Sequence, residues 1–135
     1  MNIQLSQKEF RHLLDLVYIG NWILNSTRGL DRFEAYDELQ EKIFTYALQN
    51  NMPELTQHFM GHIFPSQAYE EGGIHEAIAD YEDAVFFDIL AEELARRDMS
   101  EEHLNPDDLN ELSARMDSYM NEFELNGIEN ISLNN

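Results

Sequence analysis

Residues 13 to 24 read Leu-Leu-Asp-Leu-Val-Tyr-Ile-Gly-Asn-Trp-Ile-Leu, the most apolar run in the chain. Twelve residues broken by Asp15 and Asn21 fall well short of the roughly 20 needed to cross a bilayer, so the run predicts a core helix. Just before it, Ser6-Gln7-Lys8-Glu9 has the spacing of a capping box, with the Ser6 hydroxyl placed to accept the Glu9 amide and the Glu9 side chain reaching back. A helix is expected from Gln7 to about Asn25. Phe10, Leu13, Leu14, Val17, Asn21 and Leu24 recur at helical spacing, and Leu16, Ile19, Trp22 and Ile23 make the far side apolar as well. A helix apolar all round is normally enclosed by its neighbours, which makes this one the expected centre of the fold.

The rest of the chain reads as further helices. Asp31-Arg32-Phe33-Glu34 is a second capping signal, for a helix to about Gln49 with an inner stripe of Phe33, Tyr36, Leu39, Ile43, Tyr46 and Ala47. Pro53 ends that pattern, and a short helix with Leu55, Phe59 and Met60 is expected to follow. Residues 63 to 73, with Pro65 and Gly72-Gly73, read as loop. Asn105-Pro106-Asp107-Asp108 predicts another helix start, with a stripe of Leu109, Leu112, Met116, Tyr119, Met120 and Phe123 and with Gly127 as its C-terminal cap. Short alternation in Ile3 to Leu5 and in the tail 126–135 suggests a two-stranded ribbon made by the chain termini. The expected fold is all-α: one domain over residues 1–135, about five helices packed around a buried central helix 7–25, with that small ribbon.

Residues 74 to 98, Ile-His-Glu-Ala-Ile-Ala-Asp-Tyr-Glu-Asp-Ala-Val-Phe-Phe-Asp-Ile-Leu-Ala-Glu-Glu-Leu-Ala-Arg-Arg-Asp, behave differently on the wheel. At about 100° per residue Ile74, Ala77, Ile78, Tyr81 and Val85 share a side, but Phe87, Leu90 and Leu94 fall where Glu76, Asp80 and Asp83 lie. Two helices account for this most simply, with a break between Tyr81 and Ala84 and with Asp83 capping the second, which would run to about Arg97. Tyr18, Trp22, Phe86 and Phe87 read as core aromatics.

Charge narrows the choice of partner. The 27 acids and eight Lys and Arg leave a net charge of -19, and residues 54–135 hold 20 of those acids against three bases. Such a surface repels nucleic acid and anionic membranes and attracts basic partners. With eight Phe, six Tyr and 43% hydrophobic residues, the chain is too apolar for a disordered polyanion. It has no cysteine, which removes disulfides, thiolate metal sites and thiol nucleophiles. Together with a start lacking a basic then apolar leader, that fits a cytoplasmic setting.

Motifs for chemistry are sparse. His58 and His62 stand four apart, which on a helix would put both imidazoles on one side, and His75 is the nearest third metal ligand. Glu9-Phe10-Arg11-His12 is the only Glu-x-x-His pair, where a carboxylate-bridged di-iron bundle needs two. No Gly-x-Ser-x-Gly elbow, phosphate loop or dinucleotide fingerprint occurs. The chain therefore reads as a non-enzymatic acidic interaction module with no cofactor, binding a basic protein partner and no nucleic acid or membrane directly. The expected acidic contact surface is Glu76, Asp80, Asp88, Glu92 and Glu93. A homodimer is the expected cover for any apolar helix face left open. Two alternatives remain: a nucleic-acid-mimicking inhibitor of a DNA- or RNA-binding protein, and a metal protein or metalloenzyme using His58, His62 and His75. Carboxylates lined up on one exposed ridge would favour the mimic.

Overall fold

Among the described residues, four helices of several turns and one small antiparallel sheet make up a mostly helical chain. The computed structural model describes residues 1–134. Helix α1 spans Gln7–Asn25, α2 Glu34–Gln49, the strands β1 Thr56–Phe59 and β2 His62–Pro65, a single turn α3 Gln67–Tyr69, α4 His75–Glu101 and α5 Leu109–Asn126. Where one core was expected, the buried apolar residues gather in two clusters, and the chain divides into two compact units, Met1–Ile78 and Ala79–Asn135.

In the first unit the predicted capping box forms: Glu9 N donates to Ser6 Oγ at 3.1 Å and Ser6 N to Glu9 Oε2 at 2.8 Å. Phe10, Leu14 and Tyr18 of α1 meet Phe44 and Ala47 of α2, Tyr69 of α3, and Ile74 and Ile78. Leu14, Phe44 and Tyr69 are almost wholly buried, and each such side chain contributes about 1.5–3 kcal/mol through removal from water. The inner stripe expected on α2 is displaced. Phe44 and Ala47 fill the core, whereas Phe33, Tyr36, Leu39 and Tyr46 stay nearly half exposed. Nor is α1 enclosed as the centre of a bundle, because Leu16 and Ile23 remain 70% and 63% exposed. Asp31 does not cap α2; it folds back to accept Gly29 N at 3.1 Å and pairs with Arg28.

Residues 56 to 65 form a β-hairpin in place of the expected short helix and loop. Met60 and Gly61 both take positive φ, the combination of a two-residue turn whose twist suits antiparallel strands. Gly61 adopts that conformation at no steric cost, and Thr, Phe and Ile in the flanks fit a pleated strand. The terminal ribbon is absent: residues 2–5 and 128–134 pair with nothing as strands, and Asn135 lies outside the described residues. After α3, Glu70–Ile74 form a wide π-type turn that kinks at Gly73, whose positive φ is open to glycine and strained for other residues.

The predicted break between Tyr81 and Ala84 does not exist, since α4 runs unbroken from His75 to Glu101. Ile78 belongs to the first cluster and Ala95 and Met99 to the second. Changing faces therefore marks a change of core, not an end of helix. Tyr81, Glu82, Asp83 and Ala84 are all exposed, so this turn has nothing to bury, and its amides already bond within the helix. Arg96 and Arg97 sit inside α4 rather than in its last turn, paired with Glu92 and Asp98.

In the second unit, Ala95 and Met99 of α4 pack with Leu112, Met116 and Tyr119 of α5. Phe87 meets Phe123 at 5.4 Å between ring centroids, while Phe86, expected in the core, is 51% exposed. Helix α5 starts three residues later than predicted, because Asp108, not Asn105, is its cap and accepts Glu111 N at 3.1 Å. Asn105 instead closes a local turn by accepting Asp107 N. Gly127 ends α5 as expected, with a positive φ and its N–H on the Phe123 carbonyl.

Candidate functional site

Within the first unit, α1, α2 and β2 frame an open cleft of about 700 Å³. Its apolar wall is Tyr18, Trp22, Ile63 and Phe64, and its polar rim includes Asn21, Arg32, Asp37, Glu38, Glu41 and His62.

A chain of amides ties the α1–α2 connection together. Asn25 Nδ2 donates to Asn21 Oδ1 at 2.7 Å and to the Phe33 carbonyl at 3.1 Å, while Asn25 Oδ1 accepts Phe33 N at 2.8 Å. Asn21 in turn donates to Asp37 at 3.0 Å. Arg32 forks onto Asp37 through Nε and Nη2, at 3.0 and 2.8 Å. That guanidinium, helped by the Asn21 amide, holds the Asp37 carboxyl below its usual range, and Asp37 raises Arg32. On the hairpin side, Glu41 accepts the Ile63 N–H at 2.9 Å and lies 3.1 Å from His62 Nδ1. The Ile63 amide first, and His62 second, lower the Glu41 carboxyl.

Beneath Trp22 lies a second group. The Tyr18 hydroxyl is 2.7 Å from His75 Nε2, and the His75 ring stands edge-on to Trp22 with centroids 4.9 Å apart. Burial, then the nearby Glu70 carboxylate, pushes the Tyr18 phenol up to about 12. Tyr69 donates to Asp15 at 2.8 Å, and burial followed by that carboxylate raises its phenol further. These phenols are neutral hydrogen-bond donors at neutral pH, not bases.

Asp37, Glu41 and Arg32 are thus engaged in holding the cleft together. Glu34 and Glu38 are not: among the described residues neither side chain has an ion-pair or hydrogen-bond partner. Both are exposed at the cleft, where Trp22 and Phe64 also contribute to its lining. Free carboxylates beside aromatic rings suit a cation, which gains Coulomb attraction from the first and cation–π attraction from the second.

The residues singled out from sequence distribute otherwise. His58 and His62 lie on β1 and β2, where His58 pairs with Ile63 and Phe59 with His62. Side chains alternate along a strand, so His58 and His62 project from opposite faces of the hairpin, and the helical argument for a shared metal fails. His75 is engaged by Tyr18 and Trp22. Among the described residues no three His, Asp or Glu side chains converge as a metal site. Glu76, Asp80, Asp88 and Glu93 are exposed and Glu92 pairs with Arg96, but at about 100° per residue these five spread around most of the α4 circumference. They form no single ridge.

Tyr18 and Trp22 were expected as core, and Arg32, Asp37, Glu41 and Phe64 were not singled out. Glu38 and Glu41 fall outside the inner stripe expected for α2, and only the hairpin, which supplies Ile63 and Phe64, turns their side of the helix into a wall. No protein-family model, curated protein or solved structure matches the chain.

Proposed function

We propose that this protein is a non-enzymatic acidic interaction module that captures a basic segment of a protein partner in the cleft of its first unit. The observation that carries the reading is the pair of unpartnered carboxylates, Glu34 and Glu38, at a cleft walled by Trp22 and Phe64. A lysine or arginine entering there replaces water with a carboxylate and an aromatic face, and residues 1–78, with 11 acids against five bases, add a net attraction for such a segment. The scatter of carboxylates around α4 weighs against mimicry of a regularly charged duplex. The opposed faces of His58 and His62 weigh against a metal-dependent reaction.

Trp22 is the only tryptophan, so its emission reports on the cleft. Titration with a short Lys- and Arg-containing peptide is expected to shift that emission saturably. The double variant Glu34→Gln/Glu38→Gln should bind about tenfold more weakly, as two partly exposed ion pairs imply. Binding should also weaken at about 0.5 M salt, where exposed charges are strongly screened. An unchanged Trp22 signal, or equal affinity in the double variant, removes the proposal.

A further inference from the structure

His75 is a half-buried titratable side chain outside the cleft lining, yet it touches two residues of the cleft wall. Its Nε2 lies 2.7 Å from the Tyr18 hydroxyl, and its ring stands edge-on to those of Tyr18 and Trp22, with centroids 5.6 and 4.9 Å apart. The Tyr18 hydroxyl has a second acceptor, Glu70 Oε1, at 3.5 Å. A single phenol proton serves one acceptor at a time, and the two distances assign it to His75, whose Nε2 is then the unprotonated nitrogen of a neutral ring.

Adding a proton to that nitrogen reverses the bond. Nε2–H becomes the donor, the Tyr18 oxygen accepts, and the phenol proton turns to Glu70. Tyr18 stays neutral in both states, since burial and the Glu70 carboxylate push its phenol up to about 12. The ionisable groups beside His75 are Tyr18 from α1, Glu70 and Glu71 from the wide turn, and Glu76 from the first turn of α4. Because Tyr18 and Trp22 belong to the cleft wall, the added charge sits directly behind that wall. A cation held within roughly 6 Å of the Trp22 ring would lie on the order of 10 Å from it. At an effective dielectric of about 20–40, like charges at that separation weaken binding about fivefold or more.

We infer that His75 is a proton switch for the cleft: with the ring neutral the cleft holds a basic segment tightly, and with the ring protonated its hold loosens. The switch rests on the capture of a basic segment proposed above. His62, the other histidine at this site, lies 3.1 Å from Glu41 at the rim, so a proton there completes an ion pair. The hydrogen-bond partner of His75 is an uncharged phenol, which leaves its proton free to act on the cleft. Coupling is reciprocal, so a bound basic segment opposes proton uptake by His75.

A histidine-free peptide containing Lys and Arg is titrated at about pH 7.5 and about pH 5.5, which bracket the ordinary histidine range and stay above that of carboxylates. Binding is expected to weaken about fivefold or more at the lower pH. His75→Gln keeps an acceptor for Tyr18 but takes no proton, and should bind alike at both; His62→Gln should keep the native response. Without peptide, Trp22 emission should fall over the same interval, because a protonated imidazole quenches an indole in contact with it, and His75→Gln should abolish the fall. Should that variant misfold, Glu70→Gln, a change at an exposed position that removes the acceptor to which the phenol turns, should move the fall to lower pH. Equal affinity at the two pH values, with sound binding at the higher one, overturns the switch and leaves capture of basic segments standing. So does a response abolished by His62→Gln, an emission level across the interval, or a fall that Glu70→Gln leaves in place. Absence of binding at the higher pH overturns both readings.

Discussion

Tyr18 and Tyr69 put ionisable phenols inside the first core, and both are raised by burial and by a neighbouring carboxylate. A phenol whose folded pKa lies above its unfolded value, about 10, favours folding in its neutral form. The stabilisation is complete below about pH 10 and is lost as the pH rises toward the folded value, about 12 for Tyr18. Alkaline unfolding of the first unit is therefore expected to begin near pH 10, followed by circular dichroism and by emission of Trp22, whose ring lies 6.2 Å from that of Tyr18. Tyr69→Phe should flatten the loss between pH 10 and 12. A stability that is level across that window would show that these phenols are not held neutral by the fold.

At the scale of elements, α4 offers the cleanest test. If Asp83 capped a second helix, Asp83→Ala would cost about 0.5–2 kcal/mol. In a continuous helix the same change is neutral or slightly favourable, because alanine is the better helix former, whereas Ala84→Gly costs about 1 kcal/mol. Denaturant midpoints of the two variants distinguish the cases, and the continuous helix requires the second ordering. Local signals with a fixed chemistry were legible in the chain: the Ser6–Glu9 box, the Gly127 cap and the α5 stripe from Leu112 to Phe123 all form. Signals that depend on which face a core selects were not. Phe44 and Leu39 are equally apolar, and only the arrival of Tyr69 and the hairpin assigns one to the interior. The hairpin itself was hidden because Met60-Gly61 is a weak turn dipeptide and His58 and His62 mimic helical spacing. Glu34 and Glu38 could be read as outward, but not as the rim of a cleft.

For the molecule as a whole, charge decides how stability responds to solution conditions. Residues 79–135 carry 16 acids and three bases, a net of -13. The ion pairs of the structure are mostly partly exposed, and such pairs are worth about 0–1 kcal/mol each. Self-repulsion should outweigh them, so raising salt from about 20 mM to about 500 mM is expected to increase the melting temperature by a few degrees. A fall would mean that the ion pairs dominate.

One helix serving two cores also ties their fates together in one dimension. Extending an existing helix adds a hydrogen bond for each residue ordered, whereas starting one afresh carries a steep nucleation cost, so either folded core seeds the helical turn that the other requires. The four exposed residues from Tyr81 to Ala84 touch neither core, yet their helical propensity sets how strongly melting of one unit is felt by the other. Cooperativity in this protein is thereby adjustable from an exposed turn of α4.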